Sequence, residues 1–237
     1  MSEYLERTLL LVGADGMRRL AGATVAVAGL GGVGGHCAEA LARAGVGRLL
    51  LIDCDRVAAS NLTRQLFATK RTVGMKKTDA AAERLREVSD CVVETAFVRI
   101  DGGTVADALP DGLDFIVDAI DDLSGKLALA VCAAARGVPI VSCMGAGNRL
   151  DASAFSVRDL YETRDCPLAR RMRREARRLG IAFLPVVCSD ETAKTAPGQR
   201  TIGSLAPVTG AAGLVLASYV LTQLLNSDRC AGGERNG

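Results

Sequence analysis

No C-x-x-C pair occurs anywhere in this chain, although it carries 8 cysteines in 237 residues, at positions 37, 54, 91, 132, 143, 166, 188 and 230. Without such pairs no tetrahedral thiolate zinc site can be read from the sequence. Cys37, Cys132 and Cys143 fall in apolar segments, where a reduced thiol behaves as a small hydrophobe. Residues 1–13 lack the pattern of a signal peptide, so a reduced chain in the cytoplasm is expected. Net charge is also nearly missing: 29 Lys and Arg against 27 Asp and Glu leave a formal +2. Any attraction for nucleic acid must therefore come from local clusters and not from an overall field. There is 1 histidine, His36, which follows a glycine loop at the start of a helix and is assigned a packing or capping role.

Long apolar runs are scarce too. Residues 205–225 form one, but Pro207, Thr209, Gly210, Gly213, Ser218, Thr222 and Gln223 interrupt it and no basic cluster flanks its start. A buried or dimer-interface helix is expected there in preference to a membrane span. The length suits one α/β domain over residues 1–226, with an N-terminal arm at 1–22, and a disordered tail is expected at 227–237.

What the chain does have is concentrated at 23–55. Residues 24–28 (TVAVA) read as a buried strand. Gly29, Gly31 and Gly34 then form G-x-G-x-x-G and open an Ala-rich helix over 33–44. Glycine is needed because the chain turns sharply off the strand, and because amides at a helix N-terminus must approach a phosphate with no Cβ in the way. A second strand, 48–52, ends on Asp53, near the spacing at which an acidic side chain meets ribose hydroxyls. Strand, helix, strand and acid together define a nucleotide site.

Beyond Asp53 comes a polar loop of about 20 residues, containing Asp55, Ser60, Asn61, Arg64, Gln65 and Lys76, which is functional or disordered by its length alone. A helix follows over 76–88, then strands at 91–98 and 114–119, the latter running into Asp121 and Asp122. A helix over 126–136 and a strand over 138–143 complete an alternating pattern. That pattern predicts a Rossmann-like, doubly wound, mostly parallel sheet with helices on both faces. The last third is less regular: a strand at 154–157, a helix at 167–179, a strand at 183–188, and a mobile loop at 189–203 around Pro197 and Gly198. The helix carries Arg170, Arg171, Arg173, Arg174, Arg177 and Arg178, a phosphate-gripping face or simply a solvated one.

The chain resembles the ThiF/MoeB family of ubiquitin-activating-like adenylylating enzymes. The shared motifs are G-L-G-G-V-G at 29–34, D-x-D at Asp53 and Asp55, S-N-L-x-R-Q at 60–65, V-G-x-x-K at 73–77 and D-A-I-D-D at 118–122. Within that family it is similar to the tRNA threonylcarbamoyladenosine dehydratase branch, through G-A-G-N-R-L-D at 145–151, V-R-D-L-Y-E-T-R-D-C-P-L-A-R at 157–170 and G-S-L-A-P-V-T-G-A-A-G at 203–213. Cys166, where Asp is expected before Pro-Leu-Ala, and Cys188, where an aromatic residue is common, depart from the pattern and inherit no role.

The resemblance implies ATP, Mg²⁺ and a tRNA substrate. A carboxylate would attack the α-phosphate, and an adjacent carbamoyl group would displace AMP to close a ring with net loss of water. The chemistry needs cations and amides around developing phosphate charge, plus carboxylates for ribose and metal. Gly29, Gly31, Gly32 and Gly34 would line the nucleotide, Asp53 would hold ribose, and Asn61, Arg64 and Lys77 the triphosphate. Asp121 would hold Mg²⁺, assisted by Asp55 near the phosphates, and Gln65 is a further candidate for binding the nucleotide. Arg7 matches the family's N-terminal arginine that reaches into a neighbouring subunit, which implies a homodimer. A sulfur-transfer partner of the cysteine desulfurase type is also allowed. Two other readings stand beside this one: adenylylation of the C-terminus of a ubiquitin-like sulfur-carrier protein, and a dinucleotide-binding oxidoreductase or binding module.

Overall fold

The computed structural model describes residues 2–194 and 201–227. Thr24–Ala28 (β1) and Arg48–Ile52 (β2) are apolar on both sides because both sides are covered. Val25, Val27, Leu49 and Leu51 face one packed layer, while Ala26, Ala28, Leu50 and Ile52 face the other. A fully buried parallel strand reads as a continuous apolar run for this reason. With Val92–Ala96 (β3), Phe115–Asp118 (β4), Ile140–Cys143 (β5), Phe155–Asp159 (β6) and Pro185–Ser189 (β7), they form a seven-stranded sheet in the order β3-β2-β1-β4-β5-β7-β6. Every neighbouring pair is parallel except β6 with β7.

The helices are Glu6–Gly22 (α1), Gly34–Arg43 (α2), Lys77–Val88 (α3), Val105–Ala108 (α4), Leu123–Arg136 (α5), Pro167–Arg178 (α6) and Ala206–Asn226 (α7). The doubly wound expectation is met, with a short α4 that the sequence pattern did not signal. Helix α5 starts three residues earlier than expected, because Asp122 caps it by accepting from Gly125 N at 2.9 Å. Helix α1 breaks at Gly13, whose φ of 72° and ψ of 174° are not helical. Most of the loop expected to be mobile at 189–203 can be placed, but 195–200 lie outside the described residues, as do 228–237 of the expected tail.

The apolar run near the C-terminus is α7, which packs against α1, α2 and several strands. Half of its most apolar window is buried inside the protein. Its glycines serve that packing: a Cβ on Gly213 would stand 2.3 Å from Val33 O, and one on Gly210 would touch the ring of His36 at 3.4 Å. His36 fills this crossing, its Nδ1 2.8 Å from Gly32 O, so its role is packing, as expected.

Strand register aligns the site. Ala28 pairs with both Ile52 and Asp118, and Asp118 with Ser142. The residues after four strands therefore emerge level at the carboxyl edge, where the chain departs in opposite directions from β1 and β4. Open α/β sheets bind ligands at that switch point.

Candidate active site

At this edge lies a cleft of about 650 Å³. Its floor is the glycine turn. Gly29 has φ 89°, and a Cβ there would meet Ala119 O at 2.6 Å; a Cβ on Gly34 would meet Gly29 O at 1.8 Å. Only glycine fits either place, so the tight exit from β1 into α2 depends on both. At Gly31 the neighbourhood is open, with only Gln65 Nε2 inside 4 Å at 3.7 Å. The turn ahead of α2 thus leaves open room at Gly31, on the cleft side of a helix N-terminus, where an anion is favoured.

Asp53 is braced where β2 ends. Its Oδ2 accepts from Leu30 N at 2.7 Å and its Oδ1 from Asp55 N at 2.8 Å. Lys77 reaches across from the first turn of α3, 2.8 Å from Asp55 Oδ2 and 3.8 Å from Asp53 Oδ2. The Lys77 ammonium holds the Asp55 carboxyl below its ordinary range. Lys77 is itself 7% exposed, so its charge is fixed at the wall of the cleft. The polar loop expected to be functional or disordered is tied at its base: Val57 N donates to Met75 O and Gly74 N to Val57 O, both at 2.8 Å. Inside it Asn61 Oδ1 accepts from Ala58 N at 3.0 Å, which pins the short 3₁₀ turn Ala59–Asn61. Asn61 is buried and does not line the cleft, whereas Arg64 and Gln65 do. Arg64 donates to Ser60 O at 3.1 Å, and among the described residues it has no carboxylate partner.

The two acids after β4 divide their work. Asp122 caps α5 and accepts from Ser124 Oγ, which lowers its titration range. Asp121 is exposed, lines the cleft and has no ion pair among the described residues, so its oxygens are open to a metal or phosphate-bound cation. Asp53, Cys54 and Asp55 also bring ligand atoms within 4.8 Å of one another. The Lys77 charge beside the two carboxylates opposes a second cation there.

Sequence reasoning missed the ion pair beneath this edge. Lys126 Nζ donates to both oxygens of Asp118 at 3.1 Å, to Ser142 Oγ at 3.2 Å and to Cys143 O at 2.7 Å. Asp118 also accepts from Ser142 Oγ and, at 3.1 Å, from Ile120 N. Both charged residues are fully buried. The signal was a lone lysine in the apolar helix L-S-G-K-L-A-L-A-V. Also unanticipated are Arg99 and Arg149, which line the cleft.

The arginines of α6 differ from one another. Arg173 donates to Thr163 O at 2.8 Å and to its hydroxyl, and Arg174 and Arg178 pair with Glu175. Arg177 lies 5.0 Å above the Tyr161 ring. Arg171 lines the cleft, and Arg170 is exposed beside it. Arg7 is exposed on α1 and does not line its own chain's cleft. Cys166 accepts from Ala169 N at 3.5 Å and caps α6 where an aspartate was expected. Cys188 is 1% exposed and burial pushes its thiol up, the property of a structural cysteine.

The ThiF family pattern matches residues 5–235. The chain belongs to the ThiF family. It is 35% identical over 243 residues to a tRNA threonylcarbamoyladenosine dehydratase of Bacillus subtilis, a match that covers 95% of this chain and 96% of that one. With the enzyme of the same name from Escherichia coli it shares 36% identity over 167 residues, 70% of this chain and 62% of that protein. The crystal structure of the Escherichia coli dehydratase, TcdA, in complex with ATP superposes with a TM-score of 0.89 at 32% identity and 97% coverage of both chains.

Proposed function

We propose that this ThiF-family protein is an ATP-dependent tRNA threonylcarbamoyladenosine dehydratase. The observation that carries the reading is the charge arrangement in the cleft. The open glycine turn at the start of α2, the fixed Lys77 and Arg64, which has no carboxylate partner among the described residues, are assigned to the phosphate side, with Asp53 at the ribose side and Asp121 open. The diphosphate of a dinucleotide stays intact during hydride transfer, so such a site needs no cations to stabilise charge developing at phosphorus, and the dehydrogenase reading loses support. ATP supplies an electrophilic phosphorus and a pyrophosphate leaving group. The chain's part is to hold the triphosphate with Arg64, Lys77 and the turn amides, to place Mg²⁺ on Asp121, and to stabilise charge as the acyl-adenylate forms. The substrate carboxylate becomes an acyl-adenylate, and the neighbouring carbamoyl attacks its acyl carbon, expelling AMP with one former carboxylate oxygen and closing the ring.

The remaining assignments rest on the same reading. Residues 1–226 act as one adenylylating unit. Leu10 and Leu11, 81% and 86% exposed beside Arg7 on α1, suit an interface with a second copy whose cleft Arg7 completes. Arg170 and Arg171 offer phosphate contacts for tRNA. Mass spectrometry of nucleosides from tRNA incubated with the protein, ATP and Mg²⁺ tests the activity. Conversion of N6-threonylcarbamoyladenosine to a form lighter by one water, dependent on ATP, is expected. AMP release driven by a small Gly-Gly-ended protein and never by tRNA would replace this reading with the carrier-protein one.

A further inference from the structure

The cleft extends past the glycine turn and Asp121 to the loop that follows β5. Strand order β2-β1-β4-β5 puts Asp53 after β2 and the loop 144–149 after β5, three strand spacings or roughly 14 Å away. The glycine turn and Asp121 lie between them. The far loop is locked in place: a Cβ on Gly147 would stand 2.1 Å from Ile202 Cγ2. Asn148 N donates to Gly203 O at 2.7 Å, and Gly203 N returns a bond to Asn148 Oδ1 at 2.6 Å.

This frame holds Arg149, a cleft-lining residue only 3% exposed. Its Nη1 donates to Gly145 O at 2.6 Å and its Nε to Glu191 O at 3.2 Å, both neutral carbonyls. The Glu191 carboxylate is turned away, accepting instead from Leu150 N at 2.9 Å and Asp151 N at 2.8 Å. Among the described residues Arg149 has no carboxylate partner, and its buried Nη2 has no hydrogen bond. A guanidinium stays charged under all ordinary conditions, and a buried charge without a counter-charge is destabilising. The fold keeps such a cation where substrate must enter, which points to an anion that arrives with the substrate.

We propose that Arg149 receives the carboxylate of the acceptor substrate before it is activated, with Arg171 at the rim of the same cleft guiding it inward. Depth selects the carboxylate over an RNA phosphate: a phosphodiester follows the exposed backbone, whereas a carboxylate on a side arm of the nucleoside reaches a buried cation. Guanidinium and carboxylate match in planar, two-pronged geometry. When the carboxylate oxygen bonds to the α-phosphorus and pyrophosphate departs with the electron pair of the broken P–O bond, the acyl group loses its charge. The grip of Arg149 then weakens and the acyl carbon is free for ring closure. This assignment rests on the dehydratase reading for the identity of the carboxylate, and on the structure alone for the need for one.

The test measures binding to anticodon stem-loop RNAs that carry N6-threonylcarbamoyladenosine either as the free acid or as its methyl ester, with α,β-methylene-ATP present to prevent turnover. The parent should prefer the acid about tenfold or more, the worth of a charge-assisted bond. Arg149→Gln should lose that preference, Arg149→Lys should keep part of it, and all three should bind the ATP analogue equally. Equal ATP-analogue binding establishes that the variants are folded. Retention of the full acid preference by Arg149→Gln overturns the proposal. A small Gly-Gly-ended protein with a free or amidated C-terminus is run alongside. If the parent discriminates only between these tails and Arg149→Gln does not, the RNA source falls together with the dehydratase reading while the carboxylate role of Arg149 is supported. Absence of discrimination in the parent with both kinds of probe overturns the role itself.

Discussion

Replacing Lys126 by Met keeps the length of the side chain and removes its charge. Asp118 is then left fully buried with neither oxygen paired to an ammonium, and Cys143 O loses a 2.7 Å bond. Breaking a buried pair by removing one member costs about 3–5 kcal/mol, because the other charge stays uncompensated. In a protein of this size each kcal/mol moves Tm by about 2–4 °C, so a fall of about 6–20 °C is expected. The effect should extend to chemistry. Asp118 Oδ1 accepts from Ile120 N at 3.1 Å, and that bond sets the course of the backbone into Asp121. Lys126→Met should therefore lower adenylylation at temperatures where the protein is still folded. Thermal unfolding by circular dichroism and pyrophosphate release read the two effects separately. The double variant Asp118→Asn, Lys126→Met removes both charges and should be destabilised by clearly less than the sum of the two single changes. A fall in Tm below about 2 °C for Lys126→Met, or strict additivity in the cycle, would refute the view that this buried pair anchors the sheet edge.

Three further outcomes are expected. Lys77→Ala and Asp121→Ala should each lower turnover by a factor on the order of 10² or more, as loss of a transition-state charge stabiliser does, and full activity in both would remove them from the site. An inactive Arg7→Ala chain mixed with an inactive Lys77→Ala chain should regain activity, since one hybrid cleft carries neither lesion; proven subunit exchange without recovery would place Arg7 outside any cleft. Replacing Arg170 and Arg171 by Gln should weaken tRNA binding and flatten its dependence on log[salt] by up to about two contacts' worth, with ATP binding intact. A larger loss on replacing Arg174 and Arg178, which pair with Glu175, would reverse that ranking.

The parallel core of the fold was legible because its signals are local. Residues 24–28 are apolar without alternation, which is how a strand covered on both faces must read, and the glycines that follow are compelled by contacts of 2.6 and 1.8 Å that any side chain would violate. Asp53 was legible for the same reason, since β2 ends beside β1 and delivers it to the turn. Asp118 and Lys126 were not. A lone lysine in an apolar helix is a local hint, but it does not name its partner, and only the docking of α5 on the sheet brings it to Asp118 and closes both off from water. The tethering of the 53–76 loop escaped for a related reason: its bonds join Val57 to residues 74 and 75, and polar composition does not reveal such closure. The six arginines of α6 were legible as a charge run and misleading as a unit, because pairing with Glu175, Thr163 and Tyr161 depends on how the helix is seated.

Charge compensation separates the cations that hold the fold from those that await a ligand. Lys126 meets a carboxylate in full burial, and Arg174 and Arg178 meet one at the surface; each is satisfied by the protein alone. Among the described residues, Arg64 and Arg149 line the cleft with only carbonyl partners. Lys77 stands between these classes, paired with Asp55 but placed in the wall of the cleft. An adenylylating site must gather two anions that repel each other, the triphosphate and the attacking carboxylate. Two uncompensated guanidiniums on different loops can hold two anions apart until the reacting atoms are aligned, and a single paired lysine cannot. Strand order supplies the spacing, because Arg64 belongs to the loop after β2 and Arg149 to the loop after β5, with the glycine turn between them.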